Sequence, residues 1–272
     1  MTTPTTTPKT TTAGTQVTPE LKSMLRRVKL GKTLDTLPDR LTLARQNQLT
    51  HGEFLELVLA DEVERRDRQS SALRARNAKL DPSMTLEAWD GDAAVSYDRT
   101  VWTELISLRF VADAHNVLLL GPVGVGKTHL AHALGHIACR RGHKVHAERA
   151  DRLFRRLRAS RLDNSHDVEI RRLIAVDVLI IDDFALQGLD PGETADFYEI
   201  VVERHLKSAT ILTSNRDPVE WLAALADPLL AQSAVDRLQS AAWELVVEGE
   251  SYRRRQKPSL TDTNPTHQET RR

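Results

Sequence analysis

Gly121-Pro122-Val123-Gly124-Val125-Gly126-Lys127-Thr128 carries residue types and a spacing that suit one ligand chemistry, the grip of a polyphosphate. Its glycines let the backbone curl until several N–H groups converge on phosphate oxygens, and a helix N-terminus behind them adds partial positive charge. Lys127 can reach the β- and γ-phosphates. The Thr128 hydroxyl can ligate Mg²⁺. The context is that of a phosphate loop, because Val117-Leu118-Leu119-Leu120 reads as the preceding strand and Leu130, Ala131, Ala133, Leu134 and Ile137 as the core face of the following helix.

A second constellation is Val178-Leu179-Ile180-Ile181-Asp182-Asp183-Phe184. Four apolar residues predict a buried strand that delivers two carboxylates to its C-terminal end, where ligands bind in open α/β sheets. Asp182 is placed to hold Mg²⁺, directly or through water, and Asp183 to polarise an attacking water. A third strand, Thr210-Ile211-Leu212-Thr213-Ser214, ends at Asn215, whose amide can hydrogen-bond a γ-phosphate or the attacking water. Ser-Asn-Arg-Asp-Pro by itself is only a turn.

These residues need a scaffold of alternating strands and helices. Strands are expected at Asn116 to Leu120, Lys144 to Glu148, Val178 to Asp182, Thr210 to Ser214 and Glu244 to Val247, with helical stretches between them. That alternation predicts an α/β fold, a five-stranded parallel sheet covered on both faces, over residues 97–256. Ahead of it, Leu21, Met24, Leu25 and Val28 recur at helical spacing, a second helix fits Pro38 to about Gln48, and Thr50-His51-Gly52-Glu53 has capping-box form. Residues 18–80 read as a small all-helical module, and 81–96, with Pro82 and Gly91, as a linker. Residues 1–17, rich in threonine and proline, and 257–272 are too polar to bury a core and read as disordered tails.

Composition narrows the class. Thirty-eight basic and 38 acidic residues cancel, so net charge points to no nucleic acid. One cysteine, Cys139, excludes an internal disulfide framework. No signal-like or membrane-spanning apolar run occurs, which predicts a cytoplasmic protein with no membrane partner.

GPVGVGKTHLAHALG, VDVLIIDDF, TILTSNRDPVEW, DPLLAQSAVDRL and GESYR, in that order and spacing, resemble the IstB-like ATPases. These are AAA+ proteins of the initiator and helicase-loader branch that assist insertion-sequence transposases, with DnaC-type loaders as relatives. The resemblance runs from about Tyr97 to Arg255. It implies ATP and Mg²⁺ as cofactors, and ATP hydrolysis at the boundaries of a homo-oligomer. The partners it implies are DNA, duplex and sequence-independent, and a transposase. Residues 121–128 with His129 become the nucleotide-binding set, His129 on the family pattern and not as a catalytic base. Asn215 becomes a sensor of the γ-phosphate. Arg237, in Asp236-Arg237-Leu238, becomes an arginine finger offered to a neighbouring subunit, a role suited to a rigid, permanently charged fork. Lys127, Asp183, Asn215 and Arg237 are then the catalytic group, and Thr128 and Asp182 the metal ligands. Arg204 is a weaker candidate for the subunit boundary.

About two dozen residues follow the fifth strand, too few for the helical lid usual in AAA+ proteins, so a sensor arginine carried on a lid is not expected; Arg253 is a weak candidate to replace that arginine in part. Arg152, Arg155, Arg156, Arg158, Arg161, Arg171 and Arg172 crowd residues 152–172 against three acids, a pattern suited to phosphate contacts with DNA, although a charge run is ordinarily a solvated face. Arg65, Arg66, Arg68, Arg74 and Arg76 are a second, diluted set. His132, His136 and Cys139 share a helix face at zinc-compatible spacing, but without a fourth ligand they read as core. Two alternatives share the ATPase core: a helicase loader preferring single-stranded DNA, and a scaffold that binds nucleotide without hydrolysis. A small-molecule kinase fits less well, because nothing resembles an acceptor lid.

Overall fold

The computed structural model describes residues 17–89 and 95–252. Both tails and Arg253 lie outside the described residues, apart from residue 17. The chain divides into two compact units, 1–70 and 71–272.

In the first unit, Thr18 accepts from Leu21 N–H to open α1 (Pro19–Arg27), a 3₁₀ turn follows at Gly31–Asp35, and then come α2 (Leu37–Gln46) and the start of α3 (His51–Asn77). The expected capping box forms. Thr50 N–H donates to Glu53 Oε2 at 2.7 Å, and Glu53 N–H donates to Thr50 Oγ1 at 3.3 Å. Arg40 on α2 clasps Asp61 on α3 through two bonds of 2.6 and 2.9 Å.

The second unit begins inside α3, about ten residues before the module end read from the sequence. Ala75, Ala78 and Leu80 are buried in its core, and Arg74 Nε donates to Cys139 O at 2.8 Å. The stretch read as a linker also packs here: Leu86 and Trp89 lie on the same core. Then follow β1 (Val95–Ser96), α4 (Arg99–Ser107), α5 (Arg109–Ala112), β2 (Asn116–Leu120), α6 (Lys127–Arg140), β3 (Val145–Arg149), α7 (Ala150–Ser160), α8 (His166–Ile174) and β4 (Val178–Asp182). The chain continues through α9 (Pro191–Arg204), β5 (Ala209–Ser214), α10 (Pro218–Ala224), α11 (Pro228–Ser240), β6 (Ala242–Val246) and β7 (Glu248–Gly249).

Five strands form one parallel sheet in the order β3-β4-β5-β2-β6, the α/β architecture expected. β2, β4 and β5 are buried along their whole length because both faces are covered. Val117, Leu119, Val178, Ile180 and Ile211 face a core shared with α6, whereas Leu118, Leu120, Leu179, Ile181 and Leu212 face a core shared with α7, α8, α9 and α11. A separate antiparallel pair joins β1 to β7. Among the described residues, no helix is long and apolar enough to cross a membrane.

Candidate functional site

β2 lies between β5 and β6 and ends at Leu120, so the loop that follows it emerges at the C-terminal edge of the sheet next to β5. Gly121, Gly124 and Gly126 adopt φ of 139°, 90° and 99°, values that a side chain would strain, and the turn delivers Lys127 as the first residue of α6. The loop therefore has the backbone form of an anion cradle. Lys127 is almost wholly buried, and its Nζ donates at 2.7 Å to both Gly121 O and Pro122 O. Its ammonium thus rests on the cradle's own carbonyls.

Asp182 and Asp183 differ in their surroundings. Asp182, buried at the end of β4, accepts through Oδ1 from the Thr128 hydroxyl at 2.8 Å and from the Thr213 hydroxyl at 2.6 Å. Thr213 Oγ1 also accepts Asp183 N–H at 2.9 Å. It thereby fixes the carboxylate of one aspartate and the backbone of the next. No motif marks Thr213 in the sequence; its signal is strand register, since Ile181 pairs with Leu212 and the next residues on each strand are Asp182 and Thr213. Asp183 has φ of 54° and Ala185 58°, left-handed backbone costing about 1–3 kcal/mol at non-glycine residues and typical of functional turns. The Asp183 carboxylate lies 3.6 Å from Arg149 Nη2. It opens on a cavity of about 280 Å³ that Phe154, Arg155 and Arg158 also line.

Asn215 is exposed, one residue beyond β5. Arg237, half-buried on α11, folds back along its own helix and donates to Ser233 O at 2.9 Å and to Ser233 Oγ. His129 Nε2 bonds to Thr85 O at 2.8 Å and the ring meets Trp89 edge-on, so its side chain serves the packing of α6. Arg204 lies in the core and not at a subunit boundary. It is 2% exposed and bonds to Thr210 Oγ1, Leu173 O, Ile174 O, Val176 O and Ala209 O, and burial pushes its guanidinium down to about 10. A side chain so occupied cannot reach a neighbouring subunit. His132 Nδ1 accepts from Asp81 N–H, His136 Nε2 bonds Asp81 O, and burial raises the Cys139 thiol to about 11. All three anchor the α3–α6 junction.

Over residues 23–259 the sequence matches the family model of the IstB-like ATP binding protein. The chain belongs to this family. An IstB-like relative from Mycobacterium tuberculosis, an ATP-binding protein in an insertion sequence, is 37% identical over 244 residues, which is 89% of this chain and 97% of the relative. The insertion sequence IS21 ATP-binding protein of Pseudomonas aeruginosa is 35% identical over 238 residues, 88% of this chain and 90% of the relative. Among solved structures, replication initiator DnaA bound to AMPPCP and single-stranded DNA is similar at a TM-score of 0.51 and 25% identity. That match covers 61% of the IstB-like chain and 50% of the DnaA chain, so this chain spans half the length of that neighbour. The DnaC helicase loader shares the fold at a TM-score of 0.50 and 20% identity, with 64% of this chain and 99% of the loader covered. The chain is accordingly a member of an ATP-binding family with an AAA+ fold.

The arginine-rich segment of the IstB-like chain splits in two. Arg156 pairs with Glu148 at 2.7 Å and with Glu169, Arg158 with Asp190 at 3.3 Å, and Arg161 with Asp196 at 2.5 Å. Arg152, Arg171 and Arg172 are exposed and form no ion pair among the described residues, and Arg155, also exposed, reaches Asp151 only at 3.8 Å. These four are the arginines of the segment most available to a polyanion. In α3, Arg65 and Arg66 both pair with Glu62 at 2.7 Å.

Proposed function

We propose that this chain hydrolyses ATP to drive its own assembly on DNA in support of a transposase. The observation that carries the reading is the cluster of Thr128, Asp182 and Thr213 beside the cradle, because it sets a fixed carboxylate for a metal, and the Asp183 carboxylate next to it, beside a backbone shaped to hold phosphate. Thr128 Oγ1 and Asp182 offer hard oxygen donors 2.8 Å apart, which fits Mg²⁺. Bound there, Mg²⁺ would supply charge neutralisation at the β- and γ-phosphates. Residues 121–126 grip the phosphates through backbone N–H groups, and Lys127 exchanges its two carbonyl partners for phosphate oxygen. Asp183 orients or deprotonates water, Asn215 donates its amide to the γ-phosphate or that water, and Arg237 of a neighbouring copy stabilises the charge that develops. Insertion-sequence relatives support the transposase as partner, and exposed Arg152, Arg171 and Arg172 support sequence-independent contact with duplex DNA.

ATP hydrolysis by the purified protein tests this reading, measured without DNA and with duplex or single-stranded DNA. Duplex-stimulated turnover that Lys127→Ala abolishes is expected. Mixing Arg237→Ala with Lys127→Ala protomers should restore part of the turnover, since each copy supplies what the other lacks. Turnover unaffected by either variant sinks the proposal. The DnaA neighbour's bound single strand favours one alternative, a helicase loader, which a preference for single-stranded DNA would support. Binding without hydrolysis would favour the scaffold reading.

A further inference from the structure

The chain that follows β6 returns to the phosphate loop and packs on it. Val247 N–H donates to Leu120 O at 2.7 Å, and Tyr252 N–H donates to Gly124 O at 3.0 Å. Both bonds use carbonyls of the loop and of the strand that leads into it, so they leave the loop's N–H groups for a phosphate. Contact at the glycines is closer still. A Cβ added to Gly121 would sit 2.0 Å from Val247 O, and one added to Gly124 would sit 2.1 Å from Ser251 Oγ and 2.8 Å from Ser251 Cβ. On another side of the turn, a Cβ on Gly126 would meet the Trp89 indole at 2.6 Å. β7, inside the returning stretch, is itself anchored by β1, with Val95 opposite Gly249 and Ser96 opposite Glu248. Gly121 and Gly124 are therefore required twice, by a positive φ and by the close approach of residues 247–252.

We propose that residues 247–252, with Ser251 and the Tyr252 backbone as positioning residues, are a clamp that holds the phosphate loop in the form that binds a polyphosphate. The proposal rests on the ATP-binding reading of residues 121–128. A loop with three glycines in six residues has much backbone freedom to lose, and ordering it only when ligand arrives would subtract from affinity. The clamp meets that cost beforehand. It pins the carbonyls of Leu120 and Gly124, and Ser251 fills the space beside Gly124 into which the turn could relax. This gives a role to Gly249-Glu250-Ser251-Tyr252, which no step of the proposed reaction uses. Because the clamp acts on the backbone that grips phosphates, its effect should be the same for every ligand that carries them.

The experiment measures dissociation constants by calorimetry on the full chain, for ATP and for inorganic triphosphate, which carries no nucleoside. Tyr252→Pro deletes the N–H that Gly124 O accepts, whereas Tyr252→Ala keeps it. Ser251→Val puts a methyl group where Oγ rests on Gly124 and overpacks the contact. Tyr252→Pro and Ser251→Val should each weaken both ligands about fivefold, the scale of one hydrogen bond or one overpacked contact, and Tyr252→Ala should bind them as the parent does. In ATP hydrolysis by Ser251→Val, KM should rise by a similar factor with kcat within about twofold, since a grip on the phosphates serves ground state and transition state alike. Urea midpoints separate these losses from unfolding, and if Tyr252→Pro does not fold, Ser251→Val decides alone. Unchanged affinity in the folded variants would overturn the proposal. So would a loss confined to ATP, because the segment would then read the nucleoside, or an equal loss in Tyr252→Ala, which would assign the contact to the ring. Failure of the parent protein to bind either ligand would instead strike the ATP-binding reading, and the clamp with it.

Discussion

The phosphate loop with its acidic strand and the arginine-rich pair of helices, α7 and α8, are neighbours in the fold, yet they answer to different physics. At the loop, three side chains meet across the C-terminal edge of one sheet: Thr128, Asp182 and Thr213 converge within 2.8 Å contacts. On α7 and α8, residues of the same charge have opposite roles. Arg156, Arg158 and Arg161 tie their helix to Glu148, Asp190 and Asp196, while Arg152, Arg171 and Arg172 face solvent. Chemistry at the loop is set by strand register. Charge on the helices is set by distant carboxylates, so a count of arginines overstates the surface that a polyanion would meet.

The sharpest break in that contrast is expected at the acidic strand. Asp182→Asn should lower the ATPase rate at least about 100-fold, because the charge proposed to hold Mg²⁺ goes. Thr213→Val keeps shape and removes one hydroxyl. It should cost about tenfold in kcat, with ATP affinity within about twofold, as for a residue that orients a ligand through another. A Thr213→Val enzyme with unchanged kcat would show that Thr213 is ordinary sheet packing.

Next in size comes Arg204. Its guanidinium satisfies four backbone carbonyls and a hydroxyl, so Arg204→Ala should destabilise the fold by about 3–5 kcal/mol in urea unfolding. Unchanged stability with failed assembly would instead restore a role at the subunit boundary. Helical spacing held the warning, since Phe197, Ile200, Val201 and Arg204 share the buried face of α9.

Motif spacing made the cradle, Asp182 and the five strands legible, because a phosphate loop and buried parallel strands are local patterns. Thr213 was hidden by its neighbours in an apolar strand and needed the register of β4 against β5. Trp89 lay in a stretch with Pro82 and Gly91 that reads as a linker, and only the folded chain presses it onto Gly126. The partners of Arg156, Arg158 and Arg161 lie 8, 32 and 35 residues away, beyond any window in which charge patterning is informative.

The two halves of the arginine segment should therefore respond differently to neutralisation. If DNA binds this face, Arg152→Gln with Arg172→Gln should weaken it about tenfold and reduce the slope of log affinity against log salt by about 2, with stability unchanged. Arg156→Gln with Arg161→Gln should lower the unfolding midpoint and leave the salt slope close to that of the parent. Equal effects from both pairs would erase the distinction.

The smallest effect isolates the structural half by pH. Burial opposes ionisation of Glu148, but hydrogen bonds from His146, Arg156 and Lys79 overcome it and hold the carboxyl well below its ordinary range. A carboxylate whose folded pKa is depressed stabilises the fold above its unfolded pKa, about 4.3, and loses that contribution as protons bind. Unfolding free energy should therefore fall as pH drops below about 4.5, by up to about 1.4 kcal/mol per pH unit from this group. Glu148→Gln removes the titration, so the gap between parent and variant should be constant near neutrality and close in acid. A gap that stays constant down to about pH 3 would mean that the Arg156–Glu148 pair contributes through its hydrogen-bond geometry and not its charge, and the helices would then resemble the loop, where geometry sets the chemistry.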